Sequence, residues 1–178
     1  MILESIVIIG FAIGLDLIFG DPKNKYHPTA WIGIIISKLT PLAKNYNTTV
    51  EKFGGFFIVL IPAGIVVTLL SILDLGISFI TLDWVTIIVS ILVGTILLKT
   101  TIAIRGMERY ALAVMDSLEN NNLDSARVNL SMIVKRNTKN LDRNHVVSGV
   151  LESISENTVD GVTGPLFYYA IFGIIGAF

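Results

Sequence analysis

The sequence predicts an all-α, polytopic membrane protein with three spans, the start of a fourth, and a helical cytoplasmic insertion. Two observations predict that class. Of 178 residues, 53% are hydrophobic and only 15% charged, and the mean hydropathy is +0.74, outside the range of an ordinary soluble domain. The thirteen Lys and Arg also fall in only two stretches: five in 20–52 and eight in 99–164. The turn between the second and third apolar runs holds none. The positive-inside rule then places the N-terminus outside and both polar stretches in the cytoplasm of a multi-pass cell-membrane protein in contact with lipid. A formal net charge of −1 leaves no footprint for nucleic acid. Without cysteine there is no disulfide framework, thiolate nucleophile or Cys-type metal site.

Residues 1–19 form the first span, near the lower limit of the roughly 17–25 residues a bilayer needs. Glu4 and Asp16, with no basic leader or small-residue cleavage site, argue for a retained helix over a cleaved signal. Asp16 is expensive in lipid and belongs at an interface or against protein. Residues 20–52 form a cytoplasmic loop. Gly20-Asp21-Pro22 reads as a tight turn, and Pro28 suits the first position of an amphipathic helix through Trp31, Ile32, Ile35 and Leu39. Trp31 and the lysines suit a helix at the headgroup level.

Residues 53–104 form a transmembrane hairpin. Its arms are Phe53 to Leu73 and Trp84 to Ile104, with Asp74, Asp83 and Leu75 to Leu82 as a short wet turn. Residues 105–164 read as three short cytoplasmic helices. The first has Met107, Ala111, Val114 and Leu118 as its apolar face. Asn120-Asn121-Asn122 is a turn, and Asp124 is the expected N-cap of the second helix, through Ala126, Leu130 and Ile133. Residues 165–178 are fourteen apolar positions, too few to cross comfortably. They read as the start of a further helix in a chain expected to continue.

The polar groups of catalytic type gather between His145 and Pro165. At 100° per residue His145, Gly149, Glu152 and Glu156 share one stripe of the third helix, while Val146, Val147, Val150, Leu151 and Ile154 take the other side. Asn157, Asp160 and Gly161 are expected to stop that helix. Glu152 and Glu156 can share Mg²⁺ or hold an amine, or simply form an exposed acidic face. Arg136, Lys139, Asp142 and Arg143 surround the preceding loop, as phosphate ligands or as a solvated charge cluster. Asp16 and Asp21 bracket a glycine turn that can cradle a metal ion or an ammonium group; alternatively one caps and the other merely turns. His27 is either a phosphate donor or an interfacial histidine. No P-loop, dinucleotide glycine pattern or HExxH helix occurs.

Three motifs in order resemble the adenosylcobinamide-phosphate synthases (CobD/CbiB) of cobalamin biosynthesis. The first is Leu15-Asp16-Leu17-Ile18-Phe19-Gly20-Asp21-Pro22 with His27-Pro28 and Trp31-Ile32-Gly33. The second is Val134-Lys135-Arg136-Asn137-Thr138 with Leu141-Asp142. The third is Glu152-Ser-Ile-Ser-Glu156-Asn157-Thr-Val-Asp160-Gly161 with Pro165-Leu166-Phe167. The resemblance implies a membrane ligase that uses ATP and Mg²⁺ to join a corrinoid, adenosylcobyric acid, to aminopropanol phosphate. It implies metal and amine handling by Asp16, Asp21, Glu152, Glu156 and Asp160. His27, Arg136, Lys139 and Asp142 would serve substrate and phosphate, and Asn157 would hold the polar turn. Asn137 departs from the family's usual Asp, and Ser148-Gly149 from a common Arg-Ala. The family's later Asn-Thr-Leu-Asp-Ser-Met segment is absent. The rival reading is a transport or scaffold subunit whose cytoplasmic segment binds a partner and makes no bond.

Overall fold

A computed structural model describes residues 2–21, 25, 27–44 and 47–178. Pro22, which completes the expected glycine turn, lies outside the described residues. Among those described, the chain is all helix: α1 (Ile2–Phe19), α2 (Pro28–Ala43), α3 (Thr48–Ser78), α4 (Asp83–Lys99), α5 (Ile104–Glu119), α6 (Leu123–Ser131), α7 (Arg143–Thr158), a π-helical turn (Val159–Thr163), α8 (Gly164–Phe172) and α9 (Ile174–Ala177). Three helical stretches are long and apolar enough to cross a membrane: α1, α3 and the one that opens at Asp83. Large apolar side chains such as Phe11, Phe53, Val59, Leu69 and Leu92 stand exposed along them, as suits a lipid-facing surface.

α1 and α4 pack in parallel. A Cβ on Gly94 would meet Ile8 at 3.0 Å, and Asp16 meets Lys99 near the far end of both helices. Spans in series alternate in direction, so a parallel first and third span is what three crossings require. Ile8, Ala12, Leu98, Ile102, Tyr169 and Ala177 form their common core. α8 enters it through Tyr169; Gly173, at φ +64°, then turns the chain and α9 returns Ala177 to it. The apolar run 165–178 is divided into two short helices, because the left-handed backbone at Gly173 interrupts it.

α2 doubles back along α3. The two approach closely at Gly54, where a Cβ would lie 2.7 Å from the Cβ of Ala43. Further along, Trp31 and Ile35 of α2 line an apolar cavity of about 380 Å³ with Pro62, Val66 and Leu70 of α3. α3 also runs on through Asp74 to Ser78, past the expected turn, because no proline falls in that stretch and each added residue gains a backbone bond at little cost.

α5, α6 and α7 form a small unit with its own core of Val114, Leu118, Ala126, Leu130 and Val146. Asn121 takes φ 55° in the expected asparagine turn. The cap of α6 is Asn122, whose Oδ1 accepts from Ser125 N at 3.0 Å; Asp124 lies inside the helix and pairs with Arg127. α7 buries Val146 of the expected apolar side together with Gly149 and Ser153, and Val150 packs against the core, but Val147 and Leu151 are exposed. Small residues fall at the crossing because Leu130 and Arg136 press on it: a Cβ on Gly149 would come within 3.1 and 2.8 Å of them. The expected stop at Asn157–Gly161 does not occur either. Asn157 Nδ2 donates back to Ser153 O at 2.7 Å, and the helix widens into the π turn and continues as α8.

Candidate active site

Two polar clusters gather the residues of the three motifs. The first gathers the residues of the Asp16-Asp21-His27 motif. Asp16 is fully buried; its Oδ2 accepts from the backbone N–H of Arg105 at 3.0 Å. Its Oδ1 lies 3.1 Å from Lys99 Nζ, off the line of a hydrogen bond. The same ammonium is 3.5 Å from Asp21 Oδ1, and His27 Nε2 is 3.8 Å from that oxygen. Gly20 takes φ +65°, which swings the chain from α1 so that Asp21 returns toward the pair. Gly106 leaves room for it: a Cβ there would come 2.5 Å from Asp21 Oδ2.

Asp16 and Asp21, expected as metal ligands, thus cradle the ammonium of Lys99. A cation is already in place, supplied by the chain itself. Among the described residues no group of three or more His, Cys, Asp or Glu converges as a metal site. Sequence reasoning passed over Lys99 because it stood alone at the end of an apolar run. Its level with Asp16 on a parallel helix was the available signal.

The second cluster joins the Arg136 motif to the Glu152–Gly161 motif. Arg136 Nη2 lies 2.8 Å from Glu152 Oε2, with side chains 47% and 64% exposed. Arg136, Glu152, Ser153, Glu156 and Asn157 line a cleft of about 400 Å³. Ser153 Oγ donates to Ile133 O at 3.1 Å, and Asn157 Nδ2 reaches Ser153 Oγ at 3.1 Å. Those bonds tie α7 to the residues after α6 and fix the floor of the cleft. Asp160 stands exposed in the π turn.

On the other side of Arg136 lies a groove of about 440 Å³, lined by Arg127, Ser131, Arg136, Thr138 and Lys139 among others. The guanidinium of Arg127 is engaged, donating from Nε to Leu141 O at 2.7 Å and pairing with Asp124 at 2.9 Å. Thr138 Oγ1 donates to Arg127 O at 2.9 Å, and Asn137 Oδ1 accepts from Lys139 N at 3.0 Å. Asn137 thus shapes the loop with its carbonyl oxygen, which an aspartate carboxylate would equally provide. Asp142 is the N-cap of α7, accepting from His145 N at 2.9 Å with the His145 ring at the same distance. The His145 amide, and then its ring, hold this carboxyl below its ordinary 3.8.

Backbone joins the two clusters. Ala103 N donates to Gly161 O at 3.1 Å, and two residues on Arg105 N donates to Asp16. The three motifs are therefore in one connected region. Chemically, it offers fixed cations for phosphoryl oxygens, a solvated carboxylate for a proton or an ammonium, and a tethered polar turn.

The family model described as CobD/Cbib protein matches residues 9–178. A probable cobalamin biosynthesis protein CobD from Thermoplasma acidophilum is 36% identical over 174 residues, covering 97% of this chain and 54% of that protein. The cobalamin biosynthesis protein CobD of Clostridium perfringens is 36% identical over 176 residues, 97% of this chain and 52% of that one. That of Leptospira interrogans is 38% identical over 168 residues, 93% and 50% respectively. The chain spans about half the length of the curated relatives it matches. No solved structure matches it.

Proposed function

The chain belongs to the CobD/CbiB family, and from that premise we propose that it serves cobalamin biosynthesis as part of a membrane ligase. The reaction is amide formation between adenosylcobyric acid and aminopropanol phosphate, driven by ATP. The observation that carries this reading is the cleft where Arg136 of one motif meets Glu152, Glu156 and Asn157 of another. The polar segments face the cytoplasm, where ATP is found, in keeping with the thirteen basic residues on that side.

A carboxylate is a poor acyl donor, so the nucleotide must first convert it to a mixed anhydride with phosphate. Arg136 and Lys139 offer the positive charge that phosphoryl oxygens require. The amine attacks only when neutral. Glu156, exposed on the cleft wall and outside the Arg136 pair, takes the proton from the ammonium. Asn157 is a positioning residue, since its amide is spent on Ser153. The solvated carboxylate of Asp160 fits Mg²⁺, which takes one or two carboxylates and fills its shell with phosphate oxygens and water; when bound, the ion would neutralise charge on the nucleotide. Asp16 and Asp21 do not fit a metal ion while Lys99 lies between them.

The test joins this chain to the part of a relative that it does not match. The purified protein receives adenosylcobyric acid, aminopropanol phosphate and Mg-ATP, and the amide is followed by mass spectrometry. Glu156→Gln should lower turnover by about 100-fold or more with membrane insertion unchanged. Wild-type turnover in that variant removes Glu156 from the chemistry.

A further inference from the structure

Arg136 is a wall of both clefts. On one side its Nη2 pairs with Glu152 at 2.8 Å. On the other it faces the groove that holds Lys139 and the Asn137–Thr138 turn. α7 accommodates the guanidinium with a glycine, since a Cβ on Gly149 would lie 2.8 Å from Nη2. The same guanidinium therefore neutralises an acid in one cleft and borders a basic groove in the other. In that groove the guanidinium of Arg127 is held by Leu141 O and Asp124, which leaves Arg136 and Lys139 to meet an anion.

We propose that Arg136 is a gate between the two: a phosphoryl ligand entering the groove draws its guanidinium from Glu152, and Glu152 is thereby freed to receive a cationic ligand in the neighbouring cleft. This rests on the ligase reading above and adds an order to it, with phosphate binding preparing the amine site. The physical basis is competition. A half-exposed ion pair is weak, and a phosphoryl group with two or more charged oxygens outbids a single carboxylate for a guanidinium. Because binding free energies are linked, the cation must strengthen phosphate binding by the same factor that phosphate strengthens cation binding.

The experiment titrates the 178-residue chain in detergent with two probes, inorganic triphosphate for a nucleotide and ethyl phosphate for an alkyl phosphate. Glu152→Gln keeps the side chain's size and removes its hold on Arg136. It should bind the true probe about two- to fivefold more tightly than wild type, the range expected from releasing an exposed pair. The probe that gains identifies the ligand's source. Wild type saturated with that probe should bind 1-amino-2-propanol more tightly than the free protein does, and Glu152→Gln should lose this coupling. Equal or weaker binding of both probes by Glu152→Gln overturns the gate, as does coupling that persists in the variant. Loss of the gain while the longer protein still forms the amide overturns the gate alone. A gain without any amide formation overturns the ligase reading and leaves the gate.

Discussion

Lys99 shows what a single side chain does when it is placed against a buried acid. Asp16 is fully enclosed, and a buried carboxylate is tolerable only with a charge or donors beside it. It has both, in the Lys99 ammonium and the Arg105 N–H. Lys99→Met keeps the length and apolar stem of the side chain but strands the carboxylate. It should destabilise the protein by about 3–5 kcal/mol, the cost of breaking a buried pair from one side. Adding Asp16→Asn removes the stranded charge and keeps an oxygen for Arg105 N–H, so the double variant should recover most of the loss. Thermal unfolding in detergent measures both. A double variant no better than Lys99→Met alone would mean that the pair matters by shape and not by charge.

Among the elements, α7 is where periodicity was least informative. Of the apolar side that its periodicity marks, Val146 is buried while Val147 and Leu151 are exposed, because Leu130 and Arg136 press on Gly149 from outside. The three apolar spans, the glycine turn at Gly20 and the asparagine turn at Asn121 were legible because composition and local chemistry specify them. The motif residues could be picked out, but not their partners: Asp16 with Lys99, and Arg136 with Glu152, are contacts across helices. Asp142, to which the resemblance gives a substrate or phosphate role, is the N-cap of α7. As a cap it carries a pH signature. Its folded pKa lies below the ordinary value of 3.8, so its contribution to the start of α7 is intact above that value and lost as pH falls through the lower folded one. Asp142→Ala should therefore speed amide exchange at Asn144 and His145 near neutral pH, and the difference from wild type should fade on acidification. A difference that holds at low pH would separate the carboxylate from the cap.

For the whole molecule, the expected orientation rests on three facts taken together. α1 and α4 are parallel, so the chain between them must return across the membrane once. α3 is the helix able to make that crossing: its 31 residues span about 46 Å at 1.5 Å per residue, against a hydrocarbon core of roughly 30 Å. The excess length demands tilt or projection. With the basic residues at the ends marked by Lys44, Lys52, Lys99 and Arg105, the α3–α4 turn should be outside and the α5–α7 unit in the cytoplasm. The chain has no cysteine, so one introduced thiol reports one position. Thr81→Cys should react with an impermeant maleimide added to intact cells, whereas Lys44→Cys and Glu119→Cys should react only after the membrane is opened. Labelling of Thr81→Cys and Glu119→Cys from the same side would refute the three crossings, and labelling of Glu119→Cys in intact cells would cut the proposed ligase off from its ATP.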